Sequence, residues 1–165
     1  MEIERKYLVD RLPEDLSSWE KREIEQGYIC EDPVLRIRKS GEHFSFVYKS
    51  SGLLAHEEIT LPLDKDAYNH LKEKADGKLI KKTRYVKSLD SFGQASSFGL
   101  SSIEGLKIEL DQFHNVKGPD GSPLLLAEVE FKSREDADKF IAPSWFKEDV
   151  TLEKRYHNSE MIFED

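Results

Sequence analysis

The chain has 165 residues, 38% of them hydrophobic and 35% charged, with a net charge of −8. That is enough apolar material for a core, so a disordered chain is excluded, and no apolar run approaches the ~18 residues of a membrane span. The acidic balance excludes a sequence-independent nucleic-acid binder. The single cysteine, Cys30, excludes an intrachain disulfide, and the charged start Met1-Glu2-Ile3-Glu4 reads as cytoplasmic rather than exported.

At about 150 residues per domain the length predicts one domain over 1–165. A first strand is predicted over 2–9. Pro13-Glu14-Asp15 opens a helix with Leu16 and Trp19 on one face, and the charged run 20–25 reads as a solvated helix face. Strands follow over 26–29, 34–39, 44–50 and 56–61, with Ser40-Gly41 turning one hairpin. Asp64 caps a helix carrying Ala67, Tyr68, Leu71 and Ala75, stopping at Gly77, with 72–74 on a solvated face. Further strands are predicted over 80–86, 106–113 and 124–131, the last two joined by a turn at Asp120-Gly121. The Ser- and Gly-rich stretch 91–102 reads as a long loop or a weak hairpin. Ser133 begins a capping box before Ala137, Phe140 and Ile141, and Pro143 ends that helix. A late strand near 150–156 and a short helix capped by Asn158 complete an α+β chain built on an antiparallel sheet.

Charge spacing within the strands is the informative feature. Residues i and i+2 share a face of a strand. Glu2, Glu4 and Lys6 therefore point one way, as do Arg36 and Arg38, Lys82 and Arg84, Glu109 and Asp111, and Glu128 and Glu130. Lys49, Glu58 and Lys154 sit in segments of the same kind. One reading is a set of ordinary half-buried strands with a solvated face. The other turns the charged faces into the lumen of a closed antiparallel barrel of about eight strands, with helices packed outside. Glu, Asp and Lys are depleted in strands, and like-charged doublets repel, so their recurrence favours the barrel. The seven cations and seven carboxylates of this set cancel, leaving the whole −8 on the exterior. Segregated signs in one lumen suit a polyanion bound with divalent cations.

These residues are similar to the signatures of a known family. Glu2-Ile3-Glu4-Arg5-Lys6 resembles the ExExK motif of the CYTH superfamily, the triphosphate tunnel metalloenzymes. Gln26-Gly27-Tyr28-Ile29, Leu35–Arg38, Tyr48-Lys49, Lys82–Tyr85, Glu109–Phe113, Glu128–Phe131 and the segment 149–158 follow in the family's order. The resemblance implies an eight-stranded tunnel holding a triphosphate with Mg²⁺ or Mn²⁺. It implies Glu2, Glu4, Glu109, Asp111, Glu128 and Glu130 as metal ligands, and Lys6, Arg36, Arg38, Lys49, Lys82, Arg84 and Lys154 as phosphate-gripping groups. Glu2, Glu4, Lys6, Glu58, Lys82 and Arg84 would carry the catalysis. Relatives often show R-x-E-x-E where this chain has His56-Glu57-Glu58-Ile59-Thr60, so His56 and Thr60 stand in place of an Arg and a Glu.

Three functions fit this reading. The first is metal-dependent hydrolysis of a small triphosphate, inorganic tripolyphosphate above all. The second is a class IV-type adenylyl cyclase, and the third a non-catalytic polyphosphate or nucleotide binder. The expected partner is the small-molecule triphosphate, with no nucleic acid or membrane, and the resemblance admits a homodimer. His43, His70, His114 and His157 show no ligand spacing and read as solvated, while Trp19, Phe140, Trp145 and Phe146 read as outer packing.

Overall fold

A computed structural model describes residues 1–164. Nine strands form one sheet: β1 (Glu2–Leu8), β2 (Glu20–Glu31), β3 (Val34–Ser40), β4 (His43–Lys49), β5 (Ala55–His56), β6 (Glu58–Leu63), β7 (Asp76–Ser88), β8 (Lys107–Lys117) and β9 (Pro123–Phe131). Every pairing is antiparallel, in the order β5-β1-β9-β8-β7-β2-β3-β4-β6. The two ends of that order, β5 and β6, flank Glu57, so the sheet nearly closes on itself through continuous chain. The strand expected over 56–61 is thus divided. Its first part pairs with β1 (Glu2↔His56) and its second with β4 (Lys49↔Glu58). A strand that closes a barrel must leave one neighbour to meet the other. The break is held by Ser50, whose backbone N–H donates to the Glu57 carbonyl at 2.9 Å and whose hydroxyl accepts from the Glu57 N–H at 2.8 Å.

The side-chain alternation builds two apolar cores. Outside the barrel, Ile3, Tyr7, Ile108, Leu110, Val129 and Phe131 pack under Trp19, Phe98, Phe140 and Phe146. Inside one end of the barrel, Tyr28, Ile80, Phe113 and Leu126 pack against Val150, Tyr156, Met161 and Ile162, a plug brought by the C-terminal segment. The charged lumen lies between this plug and the opposite mouth.

Among the described residues α1 (Lys65–Lys72) and α2 (Arg134–Lys139) lie outside the sheet, and α3 (Asn158–Met161) belongs to the plug. Asp64 caps α1 by accepting from the Ala67 N–H, and Ser133 caps α2 by accepting from the Asp136 N–H. No helix among the described residues is long and apolar enough to cross a membrane.

Several local expectations change. The run 20–25 is the first half of β2, because pairing with β7 (Arg22↔Arg84, Ile24↔Lys82) buries Ile24. The helix expected at Pro13 is a 3-10 turn over Leu16–Ser18. The chain near 150–156 is a turn followed by a 3-10 segment, Lys154–Tyr156, and the residues leading into it meet β1 at the bridge Tyr7↔Asp149 without forming a strand. Helix α1 stops at Lys72, and Gly77 falls instead inside β7. Helix α2 ends at Lys139, ahead of Pro143. The 91–102 stretch forms two 3-10 turns that bury Phe98 and Leu100 in the outer core, away from the tunnel mouth. His157, not Asn158, holds the N-cap position of α3.

Candidate active site

Antiparallel registry keeps paired residues on one face, so the lumen can be read strand by strand. Arg22, Gln26 and Tyr28 of β2 face inward with Arg36 and Arg38 of β3, through the pairs Gln26↔Arg38 and Tyr28↔Arg36. Lys49 of β4 and Lys82 and Arg84 of β7 flank them. On the other side stand Glu2 and Glu4 of β1, Glu128 and Glu130 of β9, Glu109 and Asp111 of β8, and Glu58 of β6. Strands β7-β2-β3-β4 therefore form a basic arc, and β6, β1, β9 and β8 an acidic one. Together they line a cavity of about 470 Å³. Of the sequence-derived candidates, all but Asp111 line this cavity. Asp111 lies just behind the wall. Lys154 reaches the mouth from its 3-10 segment, exposed, rather than from a strand.

Most of the charges have partners. Asp111 has both oxygens engaged: Oδ2 accepts from Lys82 Nζ at 2.8 Å, and Oδ1 accepts from Arg84 Nε at 2.8 Å. Arg84 Nη1 also reaches Glu109 Oε2 at 2.8 Å. Burial works to raise the Asp111 carboxyl, but Arg84 and Lys82 overcome it and hold it far below the usual carboxylate range. Burial brings the Lys82 ammonium down to about 7, against the pull of Asp111 and helped by Arg84 and Arg38. Lys6 Nζ lies 3.3 Å from Glu128 Oε1 and donates to the Tyr156 carbonyl at 3.1 Å. Against burial, Lys6 and Arg84 keep Glu128 at about 2.

Other charges have no counterion. Among the described residues, Arg36 is 7% exposed, has no carboxylate within ion-pair range, and its Nε has no hydrogen-bond partner. Arg38 bonds only the neutral Gln26, through Nε at 2.9 Å and Nη2 at 2.7 Å to Oε1. Burial, with Arg36 and Arg84 nearby, brings Arg38 down to about 9. On the acidic arc, Glu4 is pushed up to about 8 by burial and by Glu128. Glu130, exposed at the rim, is raised too, by partial desolvation and by Glu2. A buried charge without a partner, as at Arg36, is costly, and like-signed carboxyls crowd the other arc; a phosphate chain on one arc with a dication on the other would relieve both. The crowded donors are carboxylate oxygens, the hard ligand set that suits Mg²⁺ or Mn²⁺.

The structure adds residues that the sequence did not single out. Gln26 links Arg38 to Asn158, donating to Asn158 Oδ1 at 2.8 Å, and Lys82 Nζ donates to the same oxygen at 3.0 Å. His157 is half-buried at the cavity wall rather than solvated, its Nε2 3.2 Å from the Thr151 carbonyl. Arg22 and Gln26 continue the period-2 pattern of β2 and were legible once 20–25 was a strand. Asn158 and His157 arrive on a non-repetitive segment and leave no periodic signal. His56 is 4% exposed, and its Nε2 bonds Glu2 Oε1.

No protein-family model matches the chain. It is 34% identical over 163 residues to an inorganic triphosphatase of Nitrosomonas europaea, covering 97% of this chain and 95% of that one. The solved structure of the inorganic triphosphatase NE1496 aligns with a TM-score of 0.66 at 32% identity, over 100% of this chain and 96% of that one. A candidate adenylate cyclase from Bacillus halodurans aligns with a TM-score of 0.51 at 18% identity, over 84% of each chain, a likeness of fold alone.

Proposed function

The chain belongs to the CYTH superfamily of triphosphate tunnel metalloenzymes, and on that premise we propose that it hydrolyses a small triphosphate, inorganic tripolyphosphate above all, inside the barrel. The observation that carries this reading is the pair of lumen guanidiniums, Arg36 and Arg38, with no carboxylate partner among the described residues. A binder of metal alone has no use for them. The cavity wall favours an inorganic substrate: its apolar members among the described residues are Tyr28, Val34 and Leu53, and Tyr28 is 2% exposed, so that ring offers a base no stacking platform.

In this reading Arg36, Arg38, Lys49, Lys82, Arg84 and Lys6 grip phosphate oxygens, and Lys154 meets the chain end at the mouth. Glu2, Glu4, Glu128 and Glu130 hold Mg²⁺ or Mn²⁺, with Glu109 assisting. Asp111, spoken for at both oxygens, serves instead to set Lys82 and Arg84. A bound dication supplies charge neutralisation and a water acidic enough to attack phosphorus. The positioned cations stabilise charge on the transferring phosphoryl group without reorganising, the main source of catalysis in such sites. Glu58 and Glu2 flank the mouth and orient Lys49.

The test supplies tripolyphosphate and ATP separately with Mg²⁺ or Mn²⁺ and measures orthophosphate, pyrophosphate and cyclic AMP. Orthophosphate from tripolyphosphate, with little product from ATP, is the expected result. Cyclic AMP with equimolar pyrophosphate would overturn it in favour of a cyclase. Binding of tripolyphosphate without turnover would make the protein a sensor.

A further inference from the structure

At the mouth of the acidic arc, three side chains from three strands converge. Glu2 of β1, His56 of β5 and Glu58 of β6 each place a potential ligand atom within 4.8 Å of the others. The bend at Glu57 creates the cluster, because it lets His56 pair with β1 while Glu58 pairs with β4.

Two further observations bear on what this cluster holds. His56 is 4% exposed, its Nε2 faces Glu2, and its Nδ1 has no hydrogen-bond partner among the described residues. With the ring's single proton on the unpartnered Nδ1, Nε2, the nitrogen that faces Glu2, offers its lone pair to an ion. The position between the carboxylates is also already filled by a cation. Lys49 Nζ lies 2.9 Å from Glu2 Oε1 and 3.7 Å from Glu58 Oε2. Lys49 rides on a flexible four-carbon stem, so its ammonium is free to move toward a phosphate and yield its place.

We propose that Glu2, His56 and Glu58 form a transition-metal site, adjoining the carboxylate-only set deeper in the tunnel, that takes Zn²⁺ in preference to Mg²⁺. One nitrogen and two carboxylate oxygens are the donor set that suits zinc, whose ligands stand about 2.0–2.2 Å away. Mg²⁺ prefers oxygen ligands throughout, so His56 selects against it. Three protein ligands leave coordination positions open to a phosphate oxygen at the tunnel mouth. The site shares Glu2 with the proposed hydrolytic centre but does not depend on hydrolysis.

The experiment is calorimetric titration of the metal-free chain with Zn²⁺ and with Mg²⁺, in the absence of any phosphate. Zn²⁺ is expected to bind more tightly, and His56→Gln to weaken Zn²⁺ by about tenfold or more while leaving Mg²⁺ unchanged. Lys49→Met is expected to strengthen Zn²⁺ binding by removing its competitor. Equal Zn²⁺ affinity in the wild type and in a His56→Gln chain with wild-type circular dichroism would overturn the proposal. Should that variant fail to fold, the wild-type chain loaded with Cu²⁺ decides: nitrogen coupling from an imidazole in its spin-echo spectrum supports the site, if it persists in a chain whose His157 is replaced by Gln, and its absence overturns it. Because no substrate is present, a chain that binds Zn²⁺ here without hydrolysing tripolyphosphate would refute the hydrolytic reading and leave this site standing.

Discussion

Arg36 carries a buried charge that no described carboxylate answers, and Glu4 a carboxyl that its surroundings hold toward the neutral form; a single substitution at either separates function from stability. Arg36 makes no ion pair among the described residues, so Arg36→Met removes a buried charge and loses no partner. Its thermal midpoint is expected to hold or rise, while kcat/KM for tripolyphosphate falls by about 10²-fold. A drop in both would mean that the guanidinium is structural. Glu4 is pushed up to about 8 by burial and by Glu128, so a neutral amide resembles the form it holds in the empty tunnel. Glu4→Gln is therefore expected to leave urea unfolding nearly unchanged and to weaken Mn²⁺ binding by about 10–100-fold, read by titration calorimetry. Near-normal turnover in that variant would remove Glu4 from the metal set.

At the level of elements, period-2 charge doublets were legible because antiparallel pairing preserves the face of every residue. Glu128 and Glu130 had to share the lumen with Glu2, Glu4 and Lys6 whatever the turns between them. The caps at Asp64 and Ser133 were legible for a local reason, since the side chain satisfies an N–H three residues on. The first half of β2 was not, because its alternating Glu and Lys residues also fit a solvated helix, and only pairing with β7 decides. The division at Glu57 was equally hidden: it answers to barrel closure, which no local pattern records. Gly77 shows how one element can be set by another far along the chain. It adopts φ +60 within β7, and a Cβ there would stand 2.5 Å from the Ile162 carbonyl oxygen. That carbonyl accepts from the Lys78 N–H at 2.9 Å and seats the C-terminal plug. Gly77→Ala is expected to cost roughly 1–3 kcal/mol in chemical denaturation, through backbone strain and a displaced C-terminus. A loss under half that value would show that the contact yields cheaply.

Across the whole molecule, the barrel is held shut by its own distant ends. Segment 147–151 runs beside β1: the Leu8 N–H donates to the Glu148 carbonyl at 2.8 Å, and the Val150 N–H to the Lys6 carbonyl at 2.9 Å. The Thr151 hydroxyl accepts from the Lys6 N–H at 3.0 Å, and Arg5 pairs with Asp149. The next residues complete both the plug, through Tyr156, and the cavity wall, through Lys154, His157 and Asn158. His157 ties this closure to pH. Burial, reinforced by Lys6 and Lys49 and opposed by Glu128 and the Thr151 carbonyl, brings its imidazole down from 6.5 to about 4. The unfolded chain therefore binds a proton there that the folded chain refuses. Stability from this group is complete above pH 6.5 and is lost as pH falls toward about 4, by at most about 1.4 kcal/mol per pH unit. Carboxylates throughout the lumen also titrate in acid, so the test is a difference: urea unfolding of the wild type and of His157→Gln at pH 7.5, 5.5 and 4.5. The stability of the wild type relative to the variant is expected to shrink as pH drops. A difference that stays constant would place the imidazole in water, outside the closed wall.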